Sequence, residues 1–295
     1  MIRNLILCLA LLAALPAQAE KLANKLFGAV GDPSLQDAMP IGTYARGCAA
    51  GLIEMPETGP NWQVMRLSRH RNFGQPVLVN YLYDLAGYAN KVGWNGIYIG
   101  DMGQPRGGPM TSGHASHQIG LDVDIWTLKP NSLTLTVKER ESLSSISVRT
   151  ADQLSVNENW DSSYAAFLKL AASDPRVDRI FVAAAIKLEL CKTATKADKK
   201  WLQHIRPEAG HEDHFHIRLK CPKGARLCET QKPTVNELSK GGDGCDETLA
   251  WWVSDAYLHP KPAPKPPKPV PHKKGPREFT MADLPRQCAA VLSSQ

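Results

Sequence analysis

Histidine is concentrated in two short segments of this 295-residue chain, which together hold five of its nine histidines. The first segment covers residues 112–126 and the second covers residues 211–219. Imidazole and carboxylate groups bind divalent metals and exchange protons near neutral pH. The candidates for this chemistry are His114, His117, Asp124, His211, His214 and His216. Chance clustering of a scarce residue is the alternative, but it does not explain why both segments also follow a strand pattern.

The strand pattern puts the polar side chains of each segment on one face. In residues 214–219 the apolar residues Phe215, Ile217 and Leu219 alternate with polar ones. The polar residues, which share the opposite face, are His214, His216 and Arg218. Residues 121–125 alternate in the same way. Successive side chains of a strand point to opposite faces, so each segment is predicted to bury one face and to present the other to a site.

Neighbouring strands would bring His117, Asp124 and His216 to one point. His117 precedes Asp124 by seven residues and lies in the loop that leads into the first strand. Two imidazoles and one carboxylate suit Zn²⁺ and leave a fourth position for water, which is typical of a catalytic site. Zinc lowers the pKa of that water to ~7. His214 is the neighbour expected to exchange protons with it.

Other catalytic signatures are absent from the sequence. His211-Glu212 is followed by His214 one residue too early for the helical H-E-x-x-H motif, and Pro207 and Gly210 disfavour a helix there. No G-x-S-x-G, S-x-x-K or S-D-N string supports a serine nucleophile, and no G-x-G-x-x-G or Walker lysine supports nucleotide binding.

The elements that must position these residues are helices and short strands in alternation. With 43% hydrophobic and 22% charged residues, the chain is ordinary globular material and not wholly disordered. We expect an α+β fold with a small antiparallel sheet as its core, long loops and a C-terminal strap. The spacing predicts helices over 76–91, 157–172 and from about 183 through Cys191, and strands over 96–100, 120–126, 179–182 and 215–219.

The N-terminus and the cysteines both indicate export. Arg3, an apolar run over residues 5–15 and the string Ala17-Gln18-Ala19 form a signal peptide, residues 1–19, cleaved after Ala19. No later apolar run is long enough to span a membrane. Cleavage of the signal peptide removes Cys8 and leaves six cysteines. An even number in an exported chain indicates three disulfides, whose pairing the spacing leaves open. A cysteine-based zinc site is the rival interpretation, although no C-x-x-C occurs. The six cysteines are Cys48, Cys191, Cys221, Cys228, Cys245 and Cys288.

The composition changes near the C-terminus. Residues 259–277 contain eight Pro and five Lys, which favours an extended, solvated spacer. Weak attraction to an anionic polymer is the functional alternative. The formal charge of +6 is small, so nucleic acid is not an expected partner of an exported chain. Nothing in the sequence indicates an oligomeric state.

The two segments resemble the LAS-type zinc metallopeptidases. The matching motifs are His117-x6-Asp124 and His214-x-His216. Longer strings, S-G-H-A-S-H-Q-I-G-L-D-V-D-I, P-V-L-V-N-Y-L-Y-D-L, I-R-P and H-F-H-I-R-L-K-C-P, are similar to the penicillin-insensitive murein endopeptidase family over nearly the whole mature chain. This resemblance implies a LAS/hedgehog-like fold and a periplasmic zinc enzyme, insensitive to β-lactams, that hydrolyses the D-alanyl–meso-diaminopimelyl cross-link of peptidoglycan stem peptides.

The resemblance also implies a role for individual residues. His117, Asp124 and His216 match the zinc ligands, His214 matches the catalytic histidine and His211 a further active-site histidine expected to stabilise the oxyanion. His114 matches a histidine that has also been assigned to metal. A second metal finds no support, because residues 148–159 contain no histidine. The implied disulfides are Cys48–Cys288, Cys191–Cys245 and Cys221–Cys228.

The expected domain organisation is a peptidase domain over residues 20–258, the Pro/Lys-rich segment 259–277, and a tail, 278–295, tied back by a disulfide. Arg206 and Arg218 are expected to bind substrate carboxylates, with a structural ion pair as the alternative.

Two rival functions remain open. One is a carboxypeptidase that removes a terminal D-Ala, and the other is a zinc-binding recognition domain of hedgehog type, which the presence of His214 argues against.

Overall fold

The computed structural model describes residues 20–262 and 271–294, so the predicted signal peptide and the centre of the Pro/Lys-rich segment lie outside the described residues. The strands of the described part are β1 Met39–Thr43, β2 Arg46–Ala50, β3 Ile53–Glu54, β4 Thr58–Gly59, β5 Trp62–Val64, β6 Phe73–Gly74, β7 Ile97–Ile99, β8 Asp122–Trp126, β9 Val177–Val182, β10 Ile205–Pro207 and β11 His214–Leu219. The α-helices are α1 Ala23–Phe27, α2 Pro76–Lys91, α3 Val137–Ser142, α4 Ser162–Ser173, α5 Ala184–Lys192, α6 Lys199–His204, α7 Val235–Leu238, α8 Glu247–Trp251, α9 Asp255–Leu258 and α10 Gln287–Ser293. Within these ranges, no helix has the length and hydropathy of a membrane span.

A seven-stranded sheet in the order β10-β9-β11-β8-β7-β5-β4 organises the fold. The α+β prediction is confirmed, but the sheet is larger than the small antiparallel sheet expected, and two of its pairings, β10 with β9 and β5 with β7, are parallel. A parallel pair needs a crossover, which α2 supplies between β5 and β7, while α5 and α6 lie between β9 and β10. The added strands have two or three residues, too few for a recognisable alternation.

The main hydrophobic core includes the buried faces of α2 and α4. The predicted bounds of α2 are confirmed, with Pro76 in the first turn and Leu78, Leu82, Leu85 and Ala89 buried. Helix α4 begins at Ser162 and not at residue 157, because the side chain of Asp161 caps it by accepting a hydrogen bond from the backbone N–H of Ser163. Both helices therefore support the sheet that holds β8 and β11.

A second, smaller core joins the two ends of the described chain. It contains Phe27 from α1 together with Phe279, Leu284 and Val291 from the tail. The guanidinium of Arg106 donates hydrogen bonds to the carbonyl oxygens of Val291 and Leu292 at 3.0 and 2.6 Å. The tail thus has apolar and polar contacts with the body in addition to the expected disulfide.

Three disulfides close the described fold. Cys48 and Cys288 join β2 to α10 across a sequence separation of 240 residues. The other two bonds link Cys191 to Cys245 and Cys221 to Cys228. This is the pairing that the family resemblance implies.

Candidate metal centre

The antiparallel pairing of β8 with β11 sets the register of the site. His216 lies opposite Asp124, and Arg218 lies opposite Asp122. Phe215, Ile217 and Leu219 are fully buried in the main core, so the predicted alternation is confirmed. The side chains of Asp124 and His216 therefore share the opposite face of two adjacent strands.

A loop with left-handed backbone brings His117 to the same place. The φ of His117 is 66°, a conformation that costs free energy for a residue with a Cβ. Its backbone N–H donates to Oδ2 of Asp122 at 3.1 Å. The side chain of Gln118 secures the loop, since its Nε2 donates to the carbonyl oxygens of Ala45 and Ala115 and its Oε1 accepts from the N–H of Gly47.

Four histidines surround the carboxylate of Asp124. Its Oδ1 lies 3.4 Å from Nε2 of His117, 3.6 Å from Nδ1 of His216 and 3.7 Å from Nε2 of His214. Its Oδ2 lies 3.3 Å from Nε2 of His114. The structure thus brings together, around one carboxylate, side chains from both histidine-rich segments.

The donor atoms of this cluster fit a divalent cation. Both ring nitrogens of His117 and Oδ1 of Asp124 are buried without a hydrogen-bond partner, and such groups are costly unless something satisfies them. Ligand atoms of His114, His117 and Asp124 all lie within 4.8 Å of one another. Tetrahedral bonds of about 2.1 Å place ligand atoms roughly 3.4 Å apart, close to the separations around Asp124.

Asp122 lies behind the cluster and contacts the ring of His216 as well as the backbone of His117. Its fully buried carboxylate accepts hydrogen bonds at Oδ1 from Nε2 of His216 at 3.0 Å and from Nε of Arg218 at 2.7 Å. These bonds turn Nδ1 of His216 towards Asp124. Burial raises the pKa of Asp122, but the charges of Arg218 and His216 outweigh it and hold the pKa far below its usual range. Sequence reasoning missed this role, although Asp122 shares its strand face with Asp124.

The two arginines expected to bind substrate are both buried and have partners within the protein. Arg218 is 6% exposed, pairs with Asp122 and stacks its guanidinium 4.2 Å from the ring centre of Tyr44. Arg206 is 9% exposed and donates from Nη1 to the hydroxyl of Ser239 at 3.1 Å. The alternative of a structural ion pair fits the contact of Arg218 with Asp122.

Each of the two ring nitrogens of His214 faces a carboxylate. Its Nδ1 donates to Asp213 at 2.7 Å, and its Nε2 faces Asp124. Burial lowers the pKa of His214, but Asp124 and Asp213 raise it to about 9. The imidazole therefore has a carboxylate that can stabilise its charged form and a nitrogen directed at the centre.

His211 is neutral at pH 7. Burial and the nearby charge of His214 lower its pKa to about 4. Its Nδ1 donates to the carbonyl oxygen of Ala209 at 2.8 Å, which leaves Nε2 as a hydrogen-bond acceptor. A role of His211 at the oxyanion, as expected from the sequence, requires a proton on Nε2 and stays a prediction.

Asp101 connects His114 to a group of arginines. Its Oδ2 accepts from Nε2 of His114 at 3.1 Å, from Nη1 of Arg71 at 2.8 Å and from Nη1 of Arg69 at 3.1 Å. Burial raises the pKa of Asp101, but the hydrogen bond from His114 and the two arginine charges lower it to about 2. Asp101, Arg69 and Arg71 come from segments without a motif, so no sequence signal identified them.

Comparison with known proteins identifies the chain as a peptidase. A family model described as "Penicillin-insensitive murein endopeptidase" matches residues 40–293. The penicillin-insensitive murein endopeptidase of Klebsiella pneumoniae subsp. pneumoniae is 38% identical over 293 residues, 95% of this chain and 96% of the relative. That of Haemophilus influenzae is 40% identical over 232 residues, 79% of this chain and 78% of the relative. The chain belongs to the penicillin-insensitive murein endopeptidase family.

Proposed function

We propose that the protein is a zinc-dependent murein endopeptidase that hydrolyses the D-alanyl–meso-diaminopimelyl amide of cross-linked peptidoglycan. Membership of the family supports the substrate and the reaction class. The observation that carries the chemistry is the set of buried, unpartnered donor atoms around Asp124. Action on murein, together with the predicted signal peptide of residues 1–19, favours a periplasmic location.

The proposed zinc ligands are His117, Asp124 and His216. Two imidazole nitrogens and one carboxylate oxygen, with a further position left for water, are typical of catalytic zinc sites. His114, whose Nε2 lies 3.3 Å from Oδ2 of Asp124, is a candidate fourth protein ligand, a role that requires this nitrogen to give up the proton it donates to Asp101. A zinc ion held there would polarise the scissile carbonyl and lower the pKa of a neighbouring water.

His214 is the proposed general base. Its Nδ1–H donates to Asp213, so its Nε2 is the nitrogen that accepts a proton from the attacking water. A cation beside Asp124 offsets the negative charge that raises the pKa of His214, which favours the neutral form that a base requires. Asp213 stabilises the imidazolium that results. His214 then returns this proton to the amine as the carbon–nitrogen bond breaks.

His211 is proposed to orient the substrate. Its ring centre lies 4.9 Å from that of His214, and its Nε2 is an acceptor, so it suits an N–H group of the peptide. The proposed reaction acylates no serine, so a β-lactam has no nucleophile to trap. We also propose that the three adjacent strands β9, β11 and β8 form the LAS-type core of a peptidase domain over residues 20–258.

Digestion of purified stem peptides tests the function. We expect the protein to cleave a cross-linked dimer at the D-alanyl–diaminopimelyl amide, with products identified by chromatography and mass spectrometry. We expect about one zinc per chain, loss of activity on chelation, and recovery when zinc is restored. Full activity of a metal-free preparation would contradict zinc dependence.

The same digestion separates the rival functions. Release of D-Ala from a monomeric stem peptide, with the dimer left intact, would identify a carboxypeptidase. Stoichiometric zinc without turnover of either peptide would identify a recognition domain. The pairing of His214 with Asp213 favours the enzyme, because a purely structural metal site needs no base beside it.

A further inference from the structure

Two cavities flank the candidate metal centre and differ in charge. The first has a volume of about 360 Å³ and is bounded by Arg66 and Arg69. The second has a volume of about 350 Å³ and is bounded by Phe181 and Glu208. His114 borders both cavities, so each opens onto the cluster from its own side. A peptide that crosses the centre would place one arm in each.

Arg66 is available to an anion in the first cavity. Within residues 20–262 and 271–294 it forms no ion pair with a carboxylate, and its guanidinium donates to the hydroxyl of Ser144 at 3.4 Å. The guanidinium also lies 5.8 Å from the ring centre of Trp126. A guanidinium has five N–H donors, so most of those of Arg66 remain free for a ligand.

Arg69 provides a second cation at the same cavity. Its side chain is 48% exposed, and its Nη1 contacts Oδ2 of Asp101 at 3.1 Å. That oxygen also accepts from Arg71 and His114, so one buried carboxylate faces two arginines and a histidine. Besides Asp101 and Asp124, one further carboxylate lines this cavity, that of Asp213. It is paired with His214. The carboxylate of Glu141 on α3 also attracts both arginines, so the arginine side has three cations, Arg66, Arg69 and Arg71, against two carboxylates, Asp101 and Glu141.

The segment that carries both arginines is held in place by α3 and its neighbours. Arg66 and His70, on either side of a 3₁₀ turn over Leu67–Arg69, have positive φ angles of 58° and 52°. The carboxylate of Glu141 accepts from the backbone N–H and the hydroxyl of Ser68 at 2.7 and 2.8 Å. Anchoring of this kind reduces the entropy lost when a ligand binds.

The second cavity has no comparable cation. Apart from histidines, the single basic side chain among the described residues that line it is Arg218, which is buried and paired with Asp122. Glu208 adds a carboxylate to its wall. An arm of the substrate that bears a carboxylate close to the scissile bond is thus favoured in the first cavity and disfavoured in the second.

The two arms of the proposed substrate differ in the charge that they carry next to the scissile bond. The carboxyl group of the D-alanyl residue is consumed in the amide, so its side of the bond carries only a methyl group. On the amine side, the carbon bonded to the scissile nitrogen carries a carboxylate. We propose that Arg66 and Arg69 bind this amine-side carboxylate and so set the direction in which the cross-link lies across the centre. The proposal rests on the proposed function for the identity of the amide.

Kinetics on two matched dimers test the proposal. One dimer carries the free amine-side carboxylate, and the other carries the same group as a primary amide. We expect wild type to prefer the carboxylate by about tenfold or more in kcat/KM, as for a charge-assisted hydrogen bond. Arg66→Gln/Arg69→Gln should remove this preference by lowering activity on the carboxylate dimer, while activity on the amide dimer stays within about threefold.

Arg226→Gln is the matched control, since Arg226 is exposed and lies in neither cavity. Its preference should equal that of wild type. Zinc content is measured for every variant, because Arg69 touches Asp101 and through it His114. A preference that survives in the double variant, or an equal loss on both dimers at full zinc content, would overturn the proposal.

A binding experiment separates this proposal from the proposed function. Zinc-loaded His214→Ala protein is titrated calorimetrically with both dimers, with and without the two arginine substitutions. If wild type cleaves neither dimer, the proposed function fails, while a tenfold tighter binding of the carboxylate dimer that depends on Arg66 and Arg69 still supports the cation site. Equal binding of the two dimers refutes the site whatever the activity.

Discussion

The nitrogen that faces Asp124 distinguishes the two histidines of β11. His216 directs Nδ1 towards Asp124 and donates from Nε2 to the buried Asp122. His214 directs Nε2 towards Asp124 and donates from Nδ1 to Asp213, whose side chain is half exposed. The first arrangement suits the metal ligand proposed for His216, and the second suits the base proposed for His214.

Substitution by alanine should separate these roles. His214→Ala is expected to keep about one zinc per chain and to lose at least a hundredfold in kcat, because it removes a proton carrier. His216→Ala is expected to lose both zinc and activity, because it removes one of three proposed ligands. Metal analysis and peptide kinetics on the same preparations check this. Equal loss of zinc in the two variants would contradict the assignment.

Sequence alone could predict the members of the cluster that lie in the two histidine-rich segments. His117, Asp124 and His216 follow from type, spacing and strand alternation. Asp101 and Arg69 could not be predicted, because the packing of distant segments brings them to His114. The tautomer of His211 also depends on a contact that no residue pattern encodes, the local hydrogen bond from its Nδ1 to the carbonyl oxygen of Ala209. Periodicity carries no information about such contacts.

At the scale of elements, one cross-strand pair couples the sheet to the centre. Asp122 on β8 lies opposite Arg218 on β11, and its carboxylate also accepts from the ring of His216 and from the backbone of His117. The register of two strands and the shape of one loop therefore meet at a single buried side chain. A shift of register by one residue would turn every one of these side chains to the other face.

Asp122→Asn should weaken zinc binding by about ten- to a hundredfold, because a neutral amide orients and polarises His216 less well. Competition with a chelator measures the affinity, and the visible spectrum of the cobalt-substituted protein reports the geometry of the ligands. Asp178→Asn is the matched control, since Asp178 forms a buried pair with Arg179 on β9 of the same sheet. It should lower stability without changing zinc affinity. An equal change in both variants would reduce Asp122 to a structural role.

At the scale of the whole molecule, the tail completes a layer that begins at α1. Cys288 is fully buried beside Cys48, and Phe279 and Val291 pack with Phe27 in the smaller core. The backbone N–H of Ala23 donates to the carbonyl oxygen of Phe279 at 2.7 Å. Covalent, apolar and polar contacts thus act together to hold the tail on the body.

Removal of the Cys48–Cys288 bond should open this layer and spare the centre. Cys48→Ser/Cys288→Ser loses a cross-link across 240 residues, for which chain-entropy models give about 5 kcal/mol in the free energy of unfolding. Hydrogen exchange should show lost protection in residues 279–293, while zinc content stays near one per chain. Cys221→Ser/Cys228→Ser, with a separation of 7 residues, is the control and should cost roughly half as much. Unchanged exchange in the tail would contradict the prediction.

The order of the three disulfides along the chain has a consequence for how the protein matures. The bonds are nested, with Cys221–Cys228 inside Cys191–Cys245 and both inside Cys48–Cys288. A chain that emerges amino end first exposes Cys48 long before its partner. An oxidant that joined cysteines in order of appearance would link Cys48 to Cys191 first, and only thiol–disulfide exchange leads from there to the native set. Maturation along that route therefore calls for a disulfide isomerase as well as an oxidase.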